Sequence, residues 1–170
     1  PPERVLVELL GRAGFDETSL TARPDFAGGD STHAFNCNGG FYILPGGILT
    51  ELGRRWVDWS RFCLQQGDLL GKRLHHSDQL GFMLAMIEGG FKFDALPLAA
   101  NFPTHFGADN YRGIRGAEIG VLHYHDKVDA HGALLPTGVA KIDKAIAVAN
   151  KRIAKGRAAL GIDGALLRAA

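Results

Sequence analysis

Ala34-Phe35-Asn36-Cys37-Asn38-Gly39-Gly40-Phe41-Tyr42-Ile43-Leu44 is the stretch on which the reading of the fold turns. Phe41-Tyr42-Ile43-Leu44 is apolar without a break. An apolar run with no alternation suits a strand covered on both faces, as in an α/β sheet. Gly39-Gly40 within the run weakens an ordinary strand by loss of side-chain packing and backbone entropy. The pair therefore marks a bulge, or a place where something lies close to the main chain. Pro45-Gly46-Gly47 ends the element.

Working outward, Ile48–Gln66 has helical spacing. Ile48, Leu52, Trp56, Trp59 and Cys63 share one stripe, with Leu49 and Phe62 beside it and Arg54, Arg55, Asp58 and Arg61 largely off it. The two tryptophans read as core anchors. Upstream, Pro2 suits a first helical turn, Val5, Leu6, Leu9 and Leu10 give a short apolar stripe, and Gly11 and Gly14 stop it. Phe15 to Ser31 reads as a long loop. Downstream, Ser77 is an N-cap candidate for a helix Asp78–Glu88, which Gly89-Gly90 ends. Phe91–Leu96 reads as a strand, Asn101 to Gly116 as a loop, Ile119–Tyr124 as a short buried strand and Lys141 to Leu160 as a final helix. Strands alternate with helices, so the expected class is α/β, a mixed sheet flanked by helices.

A length of 170 residues matches one domain, or a piece cut from a larger one. Hydrophobic residues at 46% and charged residues at 22% exclude a disordered chain. Nineteen basic against eighteen acidic residues leave a net +1, from which no general attraction to nucleic acid or anionic lipid follows. Cys37 and Cys63 are too few for a disulfide framework and form no C-x-x-C pair, so free thiols in a reducing, cytoplasmic setting are expected. No apolar run approaches the roughly 20 residues of a membrane span. The N-terminus has no signal-peptide pattern and no starting methionine, so the chain is expected to be trimmed or to begin inside a longer one.

Three clusters carry functional groups that packing does not require. In Phe35-Asn36-Cys37-Asn38-Gly39-Gly40, glycines let a ligand approach the backbone, and Asn36 and Asn38 offer donors and acceptors; a structural bulge is the plainer alternative. In His75-His76-Ser77-Asp78-Gln79, a carboxylate and an amide stand together at a helix start. Asp78 could hold a hydroxyl or stabilise developing positive charge, with Gln79 fixing its orientation; the plainer alternative is a capped surface helix. In Ile119-Gly120-Val121-Leu122-His123-Tyr124-His125-Asp126, strand alternation puts His123 and His125 on one face, able to share a metal ion. A hydrogen-bonded structural histidine is the alternative there. The His-x-His spacing lacks the further histidine of the metallo-β-lactamase pattern, and the helical stretches speak against a small cupin barrel.

Taken in order, the clusters resemble the second half of a nucleotide-sugar glycosyltransferase of the GT-A fold, nearest to glycosyltransferase family 8. Asn38-Gly39-Gly40, Asp78-Gln79, Leu96-Pro97 with Asn101, and Val121-Leu122-His123 follow the family's order across about 90 residues. The resemblance implies that Asn38, Gly39 and Gly40 border the donor sugar and diphosphate, with Asn36 and Asn101 among the substrate-binding residues. It implies that Asp78 binds sugar hydroxyls or assists at the anomeric centre beside Gln79. His123 then holds Mn²⁺ or Mg²⁺ against the diphosphate, with His125 a further candidate ligand. The family's Asp-x-Asp occurs nowhere in this chain, and the Lys-Pro-Trp that often follows its terminal histidine is replaced by Asp126-Lys127-Val128.

The expectation is therefore the acceptor-side, C-terminal portion of a metal-dependent glycosyltransferase, with residues 140–170 as a C-terminal helical segment. Its partners would be a nucleotide-sugar donor and a carbohydrate or other hydroxyl acceptor, with no nucleic acid and no membrane span. The 170 residues alone would be inactive, and exposed sheet edges could support self-association. Two alternatives stay open: a non-catalytic binding or scaffold module of the same fold, and a small metallohydrolase built on His123, His125 and Asp126.

Overall fold

The computed structural model describes residues 1–16, 20–22, 31–94, 96–105 and 118–162. The chain divides into two units, Pro1–Asp94 and Ala95–Ala170. The described residues make a helix-rich α/β protein with two small sheets of two strands each.

The first unit is built around a helix that has no polar face. Helix α1 spans Glu3–Arg12 and a hairpin pairs β1, Leu20–Ala22, with β2, Ser31–His33, antiparallel. A 3-10 turn at Gly46–Ile48 runs into α2, Leu49–Leu64, which the short α3, Gly67–Leu70, follows. Another 3-10 stretch, Gly71–His76, leads straight into α4, Ser77–Glu88. Leu80 through Met86 are all buried, as a helix apolar all round must be.

Val5, Leu6, Leu9 and Leu10 of α1 pack with Leu80, Met83 and Leu84, together with Cys63 and Leu70. A second cluster joins Leu52 of α2 to Phe82, Ala85 and Met86, with Tyr42, Leu44, Trp56 and Trp59 packed against it. Each fully buried leucine contributes roughly 1.5–3 kcal/mol. Helices α2 and α4 approach closely because Gly81 has no side chain: a Cβ there would lie 2.6 Å from the Ser60 nitrogen and 2.7 Å from its Cα. Arg55 of α2 pairs with Glu88 of α4 at 2.8 Å, and Trp59 Nε1–H donates to the same carboxylate at 2.9 Å. These contacts hold the Glu88 carboxyl below its usual range, the Trp59 bond first.

In the second unit, β3, Phe102–Pro103, lies parallel to β4, Leu122–His123, with Phe102 opposite Leu122 and Pro103 opposite His123. Helix α5, Ala140–Ala159, sets Ile142 and Ile146 against Phe102 and Leu134, with Ile119, Leu122, Ala149 and Ile153 around them. Its start is fixed by Asp143, whose Oδ1 accepts from the Thr137 backbone N–H at 2.7 Å and from the Thr137 hydroxyl at 2.9 Å. Asp143 Oδ2 accepts from Gly138 N–H at 3.2 Å. Asn150 binds Leu134 twice, accepting its N–H at 2.8 Å and donating to its carbonyl at 3.0 Å.

Helices α1, α2, α4 and α5 agree with the sequence reading to within about two residues, the short α3 and the 3-10 stretch after it are absent from that reading, and the strands do not agree. Residues 34–44 form no strand. Phe41 and Ile43 are exposed while Tyr42 and Leu44 are partly buried against the helices, so the segment is extended chain held by alternate side chains rather than by a ladder. Of the expected strand Phe91–Leu96, residues 91–94 and 96 are not strand, and 95 lies outside the described residues. Of Ile119–Tyr124, only Leu122–His123 pairs. The expected loop Phe15 to Ser31 contains β1 and the start of β2; its residues 17–19 and 23–30 lie outside the described residues, as do 106–117 and 163–170. Ser77 is not an N-cap. It is the first residue of α4, its hydroxyl donates to the Leu74 carbonyl at 2.6 Å, and the preceding 3-10 turns take over the role of a cap.

Candidate functional site

In the first unit, two of the motifs meet. A Cβ placed on Gly39 would lie 3.0 Å from Gln79 Cγ and 3.3 Å from its Nε2, so the Asn38-Gly39-Gly40 backbone rests directly on the Gln79 side chain. The turn is locked by the Asn38 side-chain carbonyl, which accepts the Gly40 N–H at 2.9 Å. Cys37 N–H donates to the Phe35 carbonyl at 2.8 Å, and Asn36 N–H to that of His33 at 2.9 Å. Local turn bonding, backbone to backbone and from the Asn38 side chain, replaces the ladder expected here.

Tyr42, Trp56 of α2 and Phe82 of α4 form an aromatic floor. Tyr42 stacks on Phe82 with centroids 4.3 Å apart and meets the edge of Trp56 at 5.9 Å; Trp56 meets Phe82 at 5.0 Å. Trp56 Nε1–H donates to the backbone carbonyl of Asp78 at 2.6 Å, tying the first turn of α4 to α2. The Asp78 side chain is exposed in that first turn, where the helix dipole favours a negative charge. The Tyr42 hydroxyl is buried without a hydrogen-bond partner among the described residues, and burial raises its pKa, with Cys37 and Asp78 adding to the rise. Burial also raises the pKa of Cys37 and pushes the Cys63 thiol up to about 12, so neither free thiol is activated as a nucleophile.

In the second unit, the other two motifs meet. The Ala99 carbonyl accepts the N–H groups of Gly120 at 2.9 Å and Val121 at 2.8 Å, and Phe102 N–H donates to the Val121 carbonyl at 2.8 Å. The segment after Leu96-Pro97 is thereby stapled along the approach to His123. Asn101 Oδ1 and His123 Nδ1 are both buried without a hydrogen-bond partner, two polar atoms whose desolvation nothing among the described residues offsets.

His105 joins this group, and sequence reasoning missed it. Its ring lies 5.2 Å from that of His123 and 5.4 Å from that of His125. Its Nδ1 faces the His123 carbonyl at 3.4 Å; a carbonyl only accepts, so Nδ1 carries the proton. The sequence did hold a signal: Pro103-Thr104-His105 runs parallel to His123-Tyr124-His125 once Pro103 is set opposite His123. Strand alternation does not carry to His125, however. The strand ends at His123, and His125 sits at φ +52°, in the left-handed region, with Nδ1 3.3 Å from Asp126 Oδ1. Burial lowers the pKa of His123, and the nearby His105 and His125 lower it further. His105 is lowered by burial, partly opposed by its bond to the His123 carbonyl. Both imidazoles are thus kept neutral near pH 7.

Neutral imidazoles and an orphaned buried nitrogen are donors that a transition metal accepts. Even so, among the described residues no group of three or more His, Cys, Asp or Glu side chains is placed to hold an ion. No helix among the described residues is long and apolar enough to cross a membrane. Comparison with known proteins adds nothing to this geometry: no family model, no curated protein and no solved structure matches the chain.

Proposed function

We propose that this chain is the acceptor-side portion of a GT-A-type glycosyltransferase that moves a sugar from a nucleoside diphosphate to an acceptor hydroxyl. The observation that carries the reading is the seating of the Asn38-Gly39-Gly40 main chain on Gln79, one residue from the exposed Asp78 carboxylate. A side chain at position 39 would fill that contact. Open backbone next to a carboxylate and an amide is what binding a hydroxyl-rich ring requires: acceptors for the sugar O–H groups and donors for their oxygens.

In this reading Asp78 accepts from sugar hydroxyls and opposes the positive charge that develops at the anomeric carbon, while Gln79 and Asn38 orient the ring. Asn36 is a further substrate-binding candidate within the first unit, and Asn101 is one within the second. A divalent ion, Mn²⁺ or Mg²⁺ by resemblance, supplies charge neutralisation of the departing diphosphate when bound. His123 would be one residue to hold it, and among the described residues no group of three or more His, Cys, Asp or Glu side chains is placed to complete the shell.

The test is donor consumption by the complete protein. Incubated with UDP-, GDP- and ADP-linked sugars and Mn²⁺ or Mg²⁺, it should release nucleoside diphosphate from at least one donor, and a chelator should abolish the release. Failure to consume any donor with either ion contradicts the proposal and favours a non-catalytic module.

A further inference from the structure

The whole chain is close to neutral, but its last helix is not. Ala140–Ala159 contains six basic residues and one acid, a net +5 against +1 for the entire chain, so the remaining residues carry a net −4. At 100° per residue, Lys141, Lys144, Lys151, Arg152 and Lys155 fall within an arc of about 100° that runs about 21 Å along the axis. All five are exposed, and the stripe lies away from the core face of Ile142, Ile146, Ala149 and Ile153. Asp143 is off the stripe and already engaged by Thr137 and Gly138. The sixth cation, Arg157, is also off it, donating to the His131 carbonyl. Among the described residues no ion pair neutralises Lys144, Lys151, Arg152 or Lys155.

Five like charges on one side of a helix repel one another, and a surface of opposite sign relieves that repulsion. We infer that this face of α5 docks on an anionic lipid bilayer. The stripe is convex, with neither a groove nor an aromatic side chain on which a base could stack, so it suits a flat charged surface better than a nucleic-acid strand. Val148 lies within the stripe, 48% exposed. Its exposed side chain adds an apolar contact at the headgroup boundary to the charge. The core face of α5 is occupied by its own unit, so the helix lies on the membrane without inserting. This inference is independent of the transferase reading.

Each basic residue at such a surface contributes about fivefold to partitioning, and the attraction falls off within a Debye length. The experiment is co-sedimentation of the purified full-length protein with vesicles of about 30% phosphatidylserine in phosphatidylcholine, and with phosphatidylcholine alone. Binding is expected only to the anionic vesicles at about 0.05 M salt and should be lost at about 0.5 M. The variant K144E/K151E/K155E should bind about a hundredfold more weakly or worse. K72E/K92E/K127E, with the same change of net charge at exposed positions off the stripe, should bind like the parent. Circular dichroism establishes that both variants are folded. Absence of binding at low salt, equal loss in the two variants, or retention of duplex DNA in place of vesicles would each overturn the inference.

Discussion

The two units hold their candidate residues in opposite ways. In Pro1–Asp94, the Asn38–Gly40 turn rests on Gln79 of α4, and the start of α4 is tied to packed aromatic rings and to a helix crossing so close that Gly81 has no room for a side chain. In Ala95–Ala170, His123 lies on a strand pair two residues long and His105 and His125 just past its end, beside buried polar atoms with no partner among the described residues. The first arrangement is rigid because apolar packing fixes it. The second is positioned by a few directional bonds, the backbone ones around Ala99 and the side-chain ones from Asp143 and Asn150. A polar site can be built on either foundation, and the two respond to different substitutions.

The largest effect on stability is expected at the aromatic floor. Trp56→Ala removes two ring contacts and the bond to the Asp78 carbonyl, and urea unfolding should show a loss of about 3–5 kcal/mol. A loss under about 1 kcal/mol would mean that packing does not hold the first site. In the second unit, Asp143→Ala removes the side-chain acceptor from three hydrogen bonds at the start of α5 and should cost about 1–2 kcal/mol. A cost matching that of Trp56→Ala would erase the contrast between the units.

The smallest expected effect is a pH dependence. His33, 3% exposed, accepts the Phe35 N–H at its Nδ1 at 3.1 Å, and burial lowers its pKa below the ordinary 6.5. Because the folded form resists protonation, this contribution is complete above about 6.5 and is lost as pH falls through 6.5 toward the folded pKa. The unfolding midpoint should be lower at pH 5 than at pH 7.5, and His33→Gln should shrink the difference. An unchanged difference would assign the pH effect to other groups.

Periodicity made the helices legible. The Leu52–Trp56–Trp59–Cys63 stripe and the all-apolar Leu80–Met86 run fix α2 and α4 because side-chain spacing reports helix burial directly. The sheet was not legible for a matching reason. Phe41-Tyr42-Ile43-Leu44 has strand composition, but composition cannot tell a ladder partner from a helix surface, and here the helices took that role. Within each unit, motifs far apart in sequence do come together: Asn38–Gly40 with Gln79, and the Ala99–Phe102 segment with Val121–His123. His105 escaped notice because its place depends on the parallel register of β3 and β4, a non-local pairing that no local pattern announces.

The transferase reading rests on the Asn38–Gly40 turn seated on Gln79, beside the exposed Asp78 carboxylate. Its direct measurement is sugar-nucleotide turnover by the complete protein and by its Asp78→Asn variant, compared at equal thermal stability. The account predicts a fall in kcat of about a hundredfold or more with an unchanged melting temperature, since Asn keeps the shape and removes the charge. Full turnover in the variant would contradict it.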